Sequence, residues 1–387
     1  MELCKFYCLF RASSRHTFSC AALIRHDNNV YSTTCLSHSS TLPERLNLPA
    51  EWAEQSAVML AWPHADTDWH ESLEAVEVVY TQLLTTISRY EQVLLLCSDE
   101  AHQADINIRL ANAGVDTSKI IFFPVKYNDT WTRDYGPISV NLSNSPKLLN
   151  FTFNGWGKKF NAELDNAVNS QLSQAGIWPD TELLDIDFVL EGGSIESDGQ
   201  GTLLTTSQCL MNPNRNPGFT KNSIENLLQE RLGCHRVLWL EHGYLAGDDT
   251  DSHIDTLARF SSTHTIVYMA CQNKNDEHYQ SLKQMENELR AFKTLSGQNY
   301  QLIPIEIPPA IFAADGHRLP ASYVNFLIIN QAVLVPVYQH PTSDKIAVKK
   351  LSLAFPDHEI IPIDCKTLIL QHGSLHCVTM QLLKGVI

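Results

Sequence analysis

Residues 56–97 carry the strand–helix–strand pattern of an α/β protein and read SAVMLAWPHADTDWHESLEAVEVVYTQLLTTISRYEQVLLLC. The apolar run at residues 56–61 predicts a buried strand, and the run at residues 91–97 predicts a second one. Between them, over residues 73–87, the apolar side chains recur at helical spacing, namely Val76, Val79, Tyr80, Leu83, Leu84 and Ile87. One apolar face of a helix is therefore expected between two strands.

The same alternation continues through the chain. After a helical stretch that ends near Gly114, further strands are predicted at residues 119–125, 148–153, 203–206, 237–240, 265–270 and 326–329. Helices are predicted at residues 161–174, 221–231, 278–294 and 344–353. Short strands separated by helices indicate a mixed α/β fold. Because no linker composition is visible after residue 48, we expect one domain over residues 45–387, built from several similar modules.

Residues 1–44 form a separate segment in composition. They hold four of the ten cysteines and carry Lys5, Arg11, Arg15 and Arg25 among many Ser and Thr residues. This composition is compatible with a targeting peptide and equally with a disordered tail translated from an upstream start codon. A secretory signal is not expected, because no apolar core of the usual length is present.

The overall composition is that of a globular protein, with 387 residues, 44% hydrophobic and 18% charged. A formal net charge of -15 argues against nucleic acid and anionic membrane surfaces as partners, and it suits a small cationic substrate. No apolar run is long enough for a transmembrane helix. The cysteines form no C-x-x-C pair, so we expect reduced thiols in a cytoplasmic protein, with a homodimer as a possible assembly.

Cys377 is the first candidate for chemistry, in the stretch QHGSLHCVT at residues 371–379. A Gly-Ser turn precedes the cysteine and a β-branched run follows it, which places Cys377 where a loop meets a strand. Such a thiol could be a nucleophile, or it could be a buried free cysteine, since cysteine is among the most buried residue types.

Residues 128–137 and 190–195 are two further candidate stretches. The first follows a predicted strand, where ligand-binding groups are common. Within it, Asp134 could bind a cation, pair with Arg133 or cap a turn, and Trp131 could stack on a ligand or belong to the core. In the second, a strand delivers Glu191 to a double-glycine turn, which allows a tight turn or a close approach to a ligand.

The third candidate stretch is residues 247–256, which is rich in aspartate. If residues 253–256 are extended, His253 and Asp255 point to the same face. Together they could ligate a metal, or supply an acid/base group and a clamp for a cation. They could equally be solvated turn residues with one surface histidine.

Taken together, these stretches resemble the agmatine deiminase family, which includes Porphyromonas-type peptidyl-arginine deiminase-like proteins and lies within the guanidino-group-modifying superfamily. The matching stretches extend from about Leu48 to Gln381, in order, at residues 48–52, 128–137, 153–157, 191–194, 212–217, 253–256 and 373–377. Ser252 departs from the resemblance, because the family commonly has glycine there. The resemblance implies a five-module pseudo-symmetric α/β propeller of the pentein type with the site at its centre.

The resemblance also implies a reaction, the hydrolysis of agmatine to N-carbamoylputrescine and ammonia in polyamine biosynthesis. Cys377 would be the nucleophile and His253 the acid/base, and Glu191 would help orient His253 and accept from the substrate. Asp134 and Asp255 would clamp the guanidinium, and Trp131 would pack on the methylene chain. Asp248, Asp249 and Asp251 would suit the distal amine. Neither a cofactor nor a metal is expected.

Because a thiolate among carboxylates is disfavoured, the bound cation is expected to promote its formation. His376 is expected to point away from Cys377 on an extended segment.

Three other interpretations stay open. The first is a metal-dependent hydrolase that uses His253, Asp255 and Glu191. The second is a deiminase or amidinotransferase that acts on arginine, peptidyl-arginine or another guanidine. The third is a binding protein without catalysis.

Overall fold

The structure is a computed structural model that describes residues 46–143 and 145–387. The predicted targeting or disordered extension, residues 1–44, lies outside the described residues. The predicted domain boundary at residue 45 stays a prediction.

Seventeen strands are present in the described part of the chain, numbered here in chain order. They are β1 Leu46–Asn47, β2 Gln55–Ala61, β3 Gln92–Cys97, β4 Ile120–Pro124, β5 Ile138–Leu142, β6 Ser145–Thr152, β7 Leu183–Val189, β8 Ile195–Ser197, β9 Thr202–Thr206, β10 Arg236–Leu240, β11 Ala258–Ser262, β12 Thr265–Ala270, β13 Gln301–Glu306, β14 Leu327–Ile329, β15 Ala332–Val337, β16 Glu359–Asp364 and β17 Met380–Leu383.

The α-helices lie between these strands. They are α1 Leu73–Ile87, α2 Glu100–Asn112, α3 Thr132–Tyr135, α4 Gly155–Lys158, α5 Glu163–Gln174, α6 Ser207–Leu210, α7 Lys221–Leu232, α8 Tyr279–Ala291 and α9 Pro341–Ala354. Short 3₁₀ turns occur at His70–Ser72, Thr117–Lys119, Gly192–Ser194, Ile254–Thr256 and Leu368–Gln371. Among the described helices, none is long and apolar enough to cross a membrane.

The strands belong to five sheets in the described residues, and the sheets share one connection pattern. An antiparallel pair is followed by a helix and then by a strand parallel to the second member of the pair. This unit recurs as β5-β6-α5-β7, β8-β9-α7-β10, β11-β12-α8-β13 and β14-β15-α9-β16. The similar modules expected from the alternation of strands and helices are therefore present as a repeated order of connected strands and helices, although no repeat is visible in the sequence.

The fifth unit joins the two ends of the described chain. Strand β17 pairs antiparallel with β2, with Met380 opposite Met59, and β3 lies parallel to β2 after the crossover helix α1. Residues before β17 are thereby held next to the first long strand. This pairing positions Cys377.

The helix predicted over residues 73–87 is confirmed with the same bounds. All six side chains of its apolar face are buried, and burying each contributes roughly 1.5–3 kcal/mol. The other predicted helices and strands are also present, with ends shifted by a few residues, as is usual where helix ends fray. The mixed α/β fold is confirmed.

The expectation that residues 253–256 are extended is wrong. Ile254–Thr256 is a 3₁₀ turn, closed by a hydrogen bond from the Leu257 N–H to the Ile254 carbonyl. The alternation of polar and apolar residues there reflects a tight turn, in which every side chain is buried. The segment around His376 is likewise a turn, so the extended geometry assumed for it is also wrong.

Candidate active site

A cavity of about 380 Å³ opens where loops from several units meet. Of the predicted site residues, the structure brings Trp131, Asp134, His253, Asp255 and Cys377 together in its wall. Glu191 does not line it. The loops that carry these residues follow β4, precede β11 and precede β17.

Cys377 is buried in the turn before β17. Its Sγ lies 3.8 Å from Asp255 Oδ2, and 3.4 and 3.5 Å from the side-chain nitrogen and oxygen of Asn325. Burial first, and then the charges of Asp255 and Asp134, raise the pKa of the thiol well above its usual value. The thiol of the free protein is therefore protonated at neutral pH.

Asp134 lies on the short helix α3 and points into the cavity, whereas its neighbour Arg133 points away and bonds Glu51 and Gln381. The carboxylate of Asp134 accepts from Trp156 Nε1 at 2.9 Å and from the Gly193 N–H at 3.0 Å. Burial raises the pKa of Asp134 to about 6, although His253 opposes the shift. The alternative that Asp134 pairs with Arg133 is wrong.

Gly193 brings its backbone N–H within bonding distance of Asp134 because it has no side chain. A Cβ at this position would lie 2.7 Å from His253 Nδ1 and 2.8 Å from Asp134 Oδ1. The double glycine is predicted to allow either a tight turn or a close approach to a ligand. It allows a tight turn, since Gly192–Ser194 is a 3₁₀ turn, and it also allows the close approach of the backbone to Asp134.

His253 is buried beside two carboxylates. Its Nδ1 lies 3.6 Å from Asp134 Oδ1, and its Nε2 lies 3.9 Å from Glu191 Oε2. Neither ring nitrogen has a hydrogen-bond partner among the described residues. Burial opposes the charge, but Asp134 and other neighbours raise the pKa of His253 well above its usual value. The ring is thus a charged imidazolium with two free donors.

Asp255 keeps one oxygen free for a ligand. Its Oδ2 accepts from His376 Nδ1 at 2.8 Å, whereas the buried Oδ1 has no partner among the described residues. Burial acts against the carboxylate, but the His376 hydrogen bond and the nearby cations hold the pKa of Asp255 below its usual range. His253 and Asp255 therefore share the cavity as expected, although a tight turn and not a strand places them there.

Glu191 lies behind His253 and is fully buried. Both of its oxygens accept from Arg215 Nε, at 2.8 and 2.9 Å. The expectation that Glu191 accepts hydrogen bonds from a substrate does not agree with this placement, because Glu191 does not line the cavity. Its 3.9 Å distance from His253 suits an electrostatic influence on the imidazolium.

One group of potential metal ligands lies beside the cavity in the described residues. Glu191, Cys209 and His253 bring one ligand-type atom each within 4.8 Å of one another. The cationic Arg215 already bonds both oxygens of Glu191, and His253 is charged. Since metal ligands must be deprotonated, these residues do not fit a metal ion well.

Only part of the aspartate-rich loop at residues 247–256 faces the cavity. Asp248 and Asp249 line it, but the carboxylate of Asp251 is bound by Arg215 at 2.7 Å and by Lys159 at 2.9 Å. The expectation that Asp251 serves a substrate amine is therefore wrong. Ser252 has a φ of +63°, a left-handed conformation that explains the glycine of the family at this position.

Trp131 lies against Gly373 in the cavity wall. A Cβ on Gly373 would approach the Trp131 indole to 2.0 Å, so the glycine allows the ring to lie close against the backbone. Trp69 lies next to Trp131, with ring centroids 5.8 Å apart. An aromatic wall therefore borders the cavity beside the carboxylates.

Sequence reasoning missed three residues that hold the site together, namely Trp156, Arg215 and Asn325, and it gave His376 no part in the site. Trp156, Arg215 and His376 lie in stretches that carried the resemblance, and that was the available signal for them. Asn325 comes from the turn before β14, more than 50 residues from Cys377, and nothing in its neighbourhood marks it.

The comparisons with known proteins identify a family for the chain. A family model described as Porphyromonas-type peptidyl-arginine deiminase matches residues 47–382. The agmatine deiminase of Medicago truncatula is 29% identical over 367 residues, which cover 87% of this chain and 96% of that protein.

Two solved structures are also similar. A cysteine-to-serine variant of the C. jejuni agmatine deiminase with substrate bound is 39% identical with a TM-score of 0.82, and the match covers 90% of this chain and 99% of that one. The Enterococcus faecalis agmatine deiminase is 26% identical with a TM-score of 0.79, with 87% and 95% covered. With a family model that spans most of its length and a cavity that gathers a thiol, an imidazolium and carboxylates, the chain belongs to the Porphyromonas-type peptidyl-arginine deiminase family, a family of guanidino-modifying hydrolases.

Proposed function

We propose that this protein is an agmatine deiminase, which hydrolyses agmatine to N-carbamoylputrescine and ammonia through a covalent amidino-cysteine. One observation carries the proposal. Asp255 Oδ1 and both ring nitrogens of His253 are buried without hydrogen-bond partners in the described residues, beside the thiol of Cys377. Leaving such groups unpaired costs about 1–3 kcal/mol each, so they suit a ligand that supplies both charge and hydrogen bonds.

The chemistry follows from the charges of the site. A guanidinium is planar and cationic, and its N–H groups would bond Asp134 and Asp255. Its charge offsets the carboxylates that disfavour a thiolate, so that Cys377 releases its proton to solvent when the cation binds. Sγ then bonds the central carbon, and His253 donates a proton to the departing ammonia as the C–N bond breaks.

The second half of the reaction releases the product. Neutral His253 accepts a proton from a water molecule that attacks the amidino carbon. As the C–S bond breaks, the hydroxyl of the adduct gives its proton to the sulfur, so the thiol is restored and a ureido product leaves. This sequence uses His253 twice, as an acid and then as a base. Glu191 stabilises the imidazolium form from behind.

The choice of agmatine over arginine rests on the cavity wall. Beyond the two clamp residues, it contains Asp66, Asp68, Asp129, Asp248 and Asp249, as well as Asp165, which burial keeps protonated, and its described lining residues include neither lysine nor arginine. A substrate carboxylate would meet like charges, which costs several kcal/mol, whereas a distal amine would be attracted. The related C. jejuni and Enterococcus faecalis enzymes, named agmatine deiminases, support the same choice.

The test is to incubate the protein with agmatine, arginine and an arginyl peptide, and to measure ammonia and the ureido product. We expect release from agmatine, and a loss on the order of 10³-fold or more for Cys377→Ser. Cys271→Ser, a buried thiol outside the cavity wall, is the matched control and retains the rate. Release from arginine or the peptide alone would replace agmatine as the substrate, and release from none of them would refute the proposal.

We propose in addition that the five sheets form the five-module pentein-type propeller. The shared connectivity of the sheets and the pairing of β17 with β2 support this arrangement. A role in polyamine biosynthesis, a cytoplasmic location and a homodimer stay predictions from the sequence.

A further inference from the structure

His376 connects Asp255 to an ionic cluster on the far side of the cavity wall. Its Nδ1 lies 2.8 Å from Asp255 Oδ2, and its Nε2 lies 2.8 Å from Glu51 Oε1 and 3.1 Å from Arg259 Nη2. The ring is fully buried. It bonds the carboxylate nearest the nucleophile, yet it does not line the cavity.

The direction of the hydrogen bond to Asp255 follows from the chemistry of its partners. An ionised carboxylate only accepts, so Nδ1 of His376 must carry a proton. In the neutral ring Nε2 accepts from Arg259, and in the charged ring Nε2 donates to Glu51. In both states Nδ1 donates to Asp255, and the anchored Nε2 edge prevents the ring from turning.

The two oxygens of Asp255 therefore have different tasks. Oδ2 is held by His376, and Oδ1 is buried and unpaired beside the thiol. No other side chain donates a hydrogen bond to this carboxylate among the described residues, apart from the thiol of Cys377 at 3.8 Å. A single imidazole thus sets the orientation of the group that would hold the guanidinium.

We propose that His376 is a positioning residue, whose Nδ1–H orients the carboxylate of Asp255 so that Oδ1 faces the guanidinium, while Glu51 and Arg259 anchor the ring. The proposal rests on the proposed function, because it names the residue that orients Asp255, one of the two carboxylates that would bind the guanidinium. Glu51 belongs to a stretch that carried the family resemblance and has no contact with the cavity.

The ionisable groups that face this pair come from several elements. Asp255 is close to His253, Asp134, Cys377, Arg133 and Arg259, and His376 faces Glu51, Arg133, Arg259 and Asp255. Burial, together with the charges of Arg133 and Arg259, lowers the pKa of His376. Burial alone would raise the pKa of Glu51, but Arg259, His376 and Arg133 outweigh it and hold that pKa well below its usual value. The neutral ring still keeps one N–H, so the lowered pKa of His376 does not remove the Nδ1 donor to Asp255.

Two substitutions at one position separate the roles of the two ring nitrogens. In His376→Asn the side-chain amide nitrogen can occupy the place of Nδ1 and keep the bond to Asp255. In His376→Gln the amide reaches the place of Nε2 instead, and the donor to Asp255 is lost. Both variants remove the ring, so their effects on packing are similar.

For His376→Gln we expect the KM for agmatine to rise about 10- to 100-fold, which is the value of a hydrogen bond to a charged group. We expect kcat to change less than KM, because the side chain of His376 bonds neither Cys377 nor His253. His376→Asn should return KM to within about threefold of the original value. Equal increases in KM in both variants would overturn the proposal.

A second measurement does not require turnover. The pH dependence of Cys377 alkylation by iodoacetamide, followed on the Cys377 peptide by mass spectrometry, should shift to higher pH in His376→Gln, since an ionised Asp255 without its donor opposes the thiolate more strongly. It should not shift in His376→Asn. If agmatine is not hydrolysed but this difference is found, the proposed function fails and the positioning role stands. If agmatine is hydrolysed and the two variants alkylate identically, the positioning role fails alone.

Discussion

Asp134 and Asp255 border the same cavity, yet their pKa values are shifted in opposite directions. Burial raises that of Asp134 to about 6, and the hydrogen bond from His376 helps to hold that of Asp255 below its usual range. Pairs of titratable groups with divergent pKa values are common at catalytic sites. Asp134 is thus the carboxylate whose ionisation limits cation binding in weakly acidic solution.

Trp156→Phe tests this assignment. The Nε1–H of Trp156 donates to Asp134 Oδ2 at 2.9 Å, and it is lost in phenylalanine, although a ring remains to pack against Phe153 and Phe160. Loss of a donor raises the pKa of a carboxylate. The acid limb of kcat/KM for agmatine should therefore move up by about one pH unit from its position near pH 6.

The matched control is Trp239→Phe. Trp239 Nε1 also donates to a carboxylate, Glu225 Oε1 at 2.7 Å, but neither residue lines the cavity. The acid limb should stay where it is in this variant. An equal shift in both variants, or none in Trp156→Phe, would show that Asp134 does not set the limb.

Helix α5 has a role in the cavity wall as well as in packing. Asp165, in its first turn, accepts from the backbone N–H groups of Asn128 and Asp129 at 2.7 and 3.2 Å, and so holds the loop that precedes α3. Burial raises the pKa of Asp165 to about 8. The element therefore includes a carboxyl group that is protonated at neutral pH.

This shift makes stability depend on pH in a defined direction. An aspartate in the unfolded chain titrates near 3.9, whereas Asp165 in the folded chain titrates at about 8. As the pH rises between these values, the unfolded chain loses a proton that the folded chain keeps, so the contribution of Asp165 to the free energy of unfolding falls. Asp165→Asn keeps Oδ1 as the acceptor for both N–H groups and cannot ionise.

We therefore expect the fall in the free energy of unfolding from pH 5 to pH 8 to be smaller in Asp165→Asn than in the original protein. Urea unfolding at the two pH values measures it. Asp105→Asn, on the exposed side of α2, is the control and should leave the difference unchanged. A larger fall in Asp165→Asn would contradict the protonated state.

At the scale of the whole molecule, the pairing of β17 with β2 links the nucleophile to the other end of the described chain. Met380, Gln381 and Leu382 lie opposite Met59, Val58 and Ala57. The pairing also supports Arg133, which bonds Gln381 next to Glu51. The cavity therefore depends on a sheet formed by residues more than 300 positions apart.

Removal of residues 380–387 should prevent the described domain from folding. It takes away the buried side chains of Met380, Leu382, Leu383 and Val386, each worth about 1.5–3 kcal/mol, and this total is comparable with a typical stability of 5–15 kcal/mol. Near-ultraviolet circular dichroism and a urea titration measure the loss. Cys377→Ser, which keeps β17, should unfold cooperatively, and a truncated chain that does the same would contradict the prediction.

The sequence determined the local structure and the candidates for chemistry. Helical spacing over residues 73–87 and apolar runs on both sides specify a strand–helix–strand unit. The apolar side chains of each element must be buried, whichever other element they pack against. Ordered matches also specified Cys377, His253, Asp134, Asp255, Glu191 and Trp131 as candidates. Five of these six border one cavity.

Only the tertiary structure decided how these groups face one another. The backbone at residues 253–256 is a turn, Glu191 is bound by Arg215, and Asp251 is paired with two cations, none of which is visible in local pattern. His376 and Asn325 approach the site from positions remote in sequence from their partners, up to 325 residues away for Glu51 and His376. The reason is physical, because hydrogen bonds and ion pairs depend on distances between atoms, and the sheets that set those distances join strands from both ends of the chain.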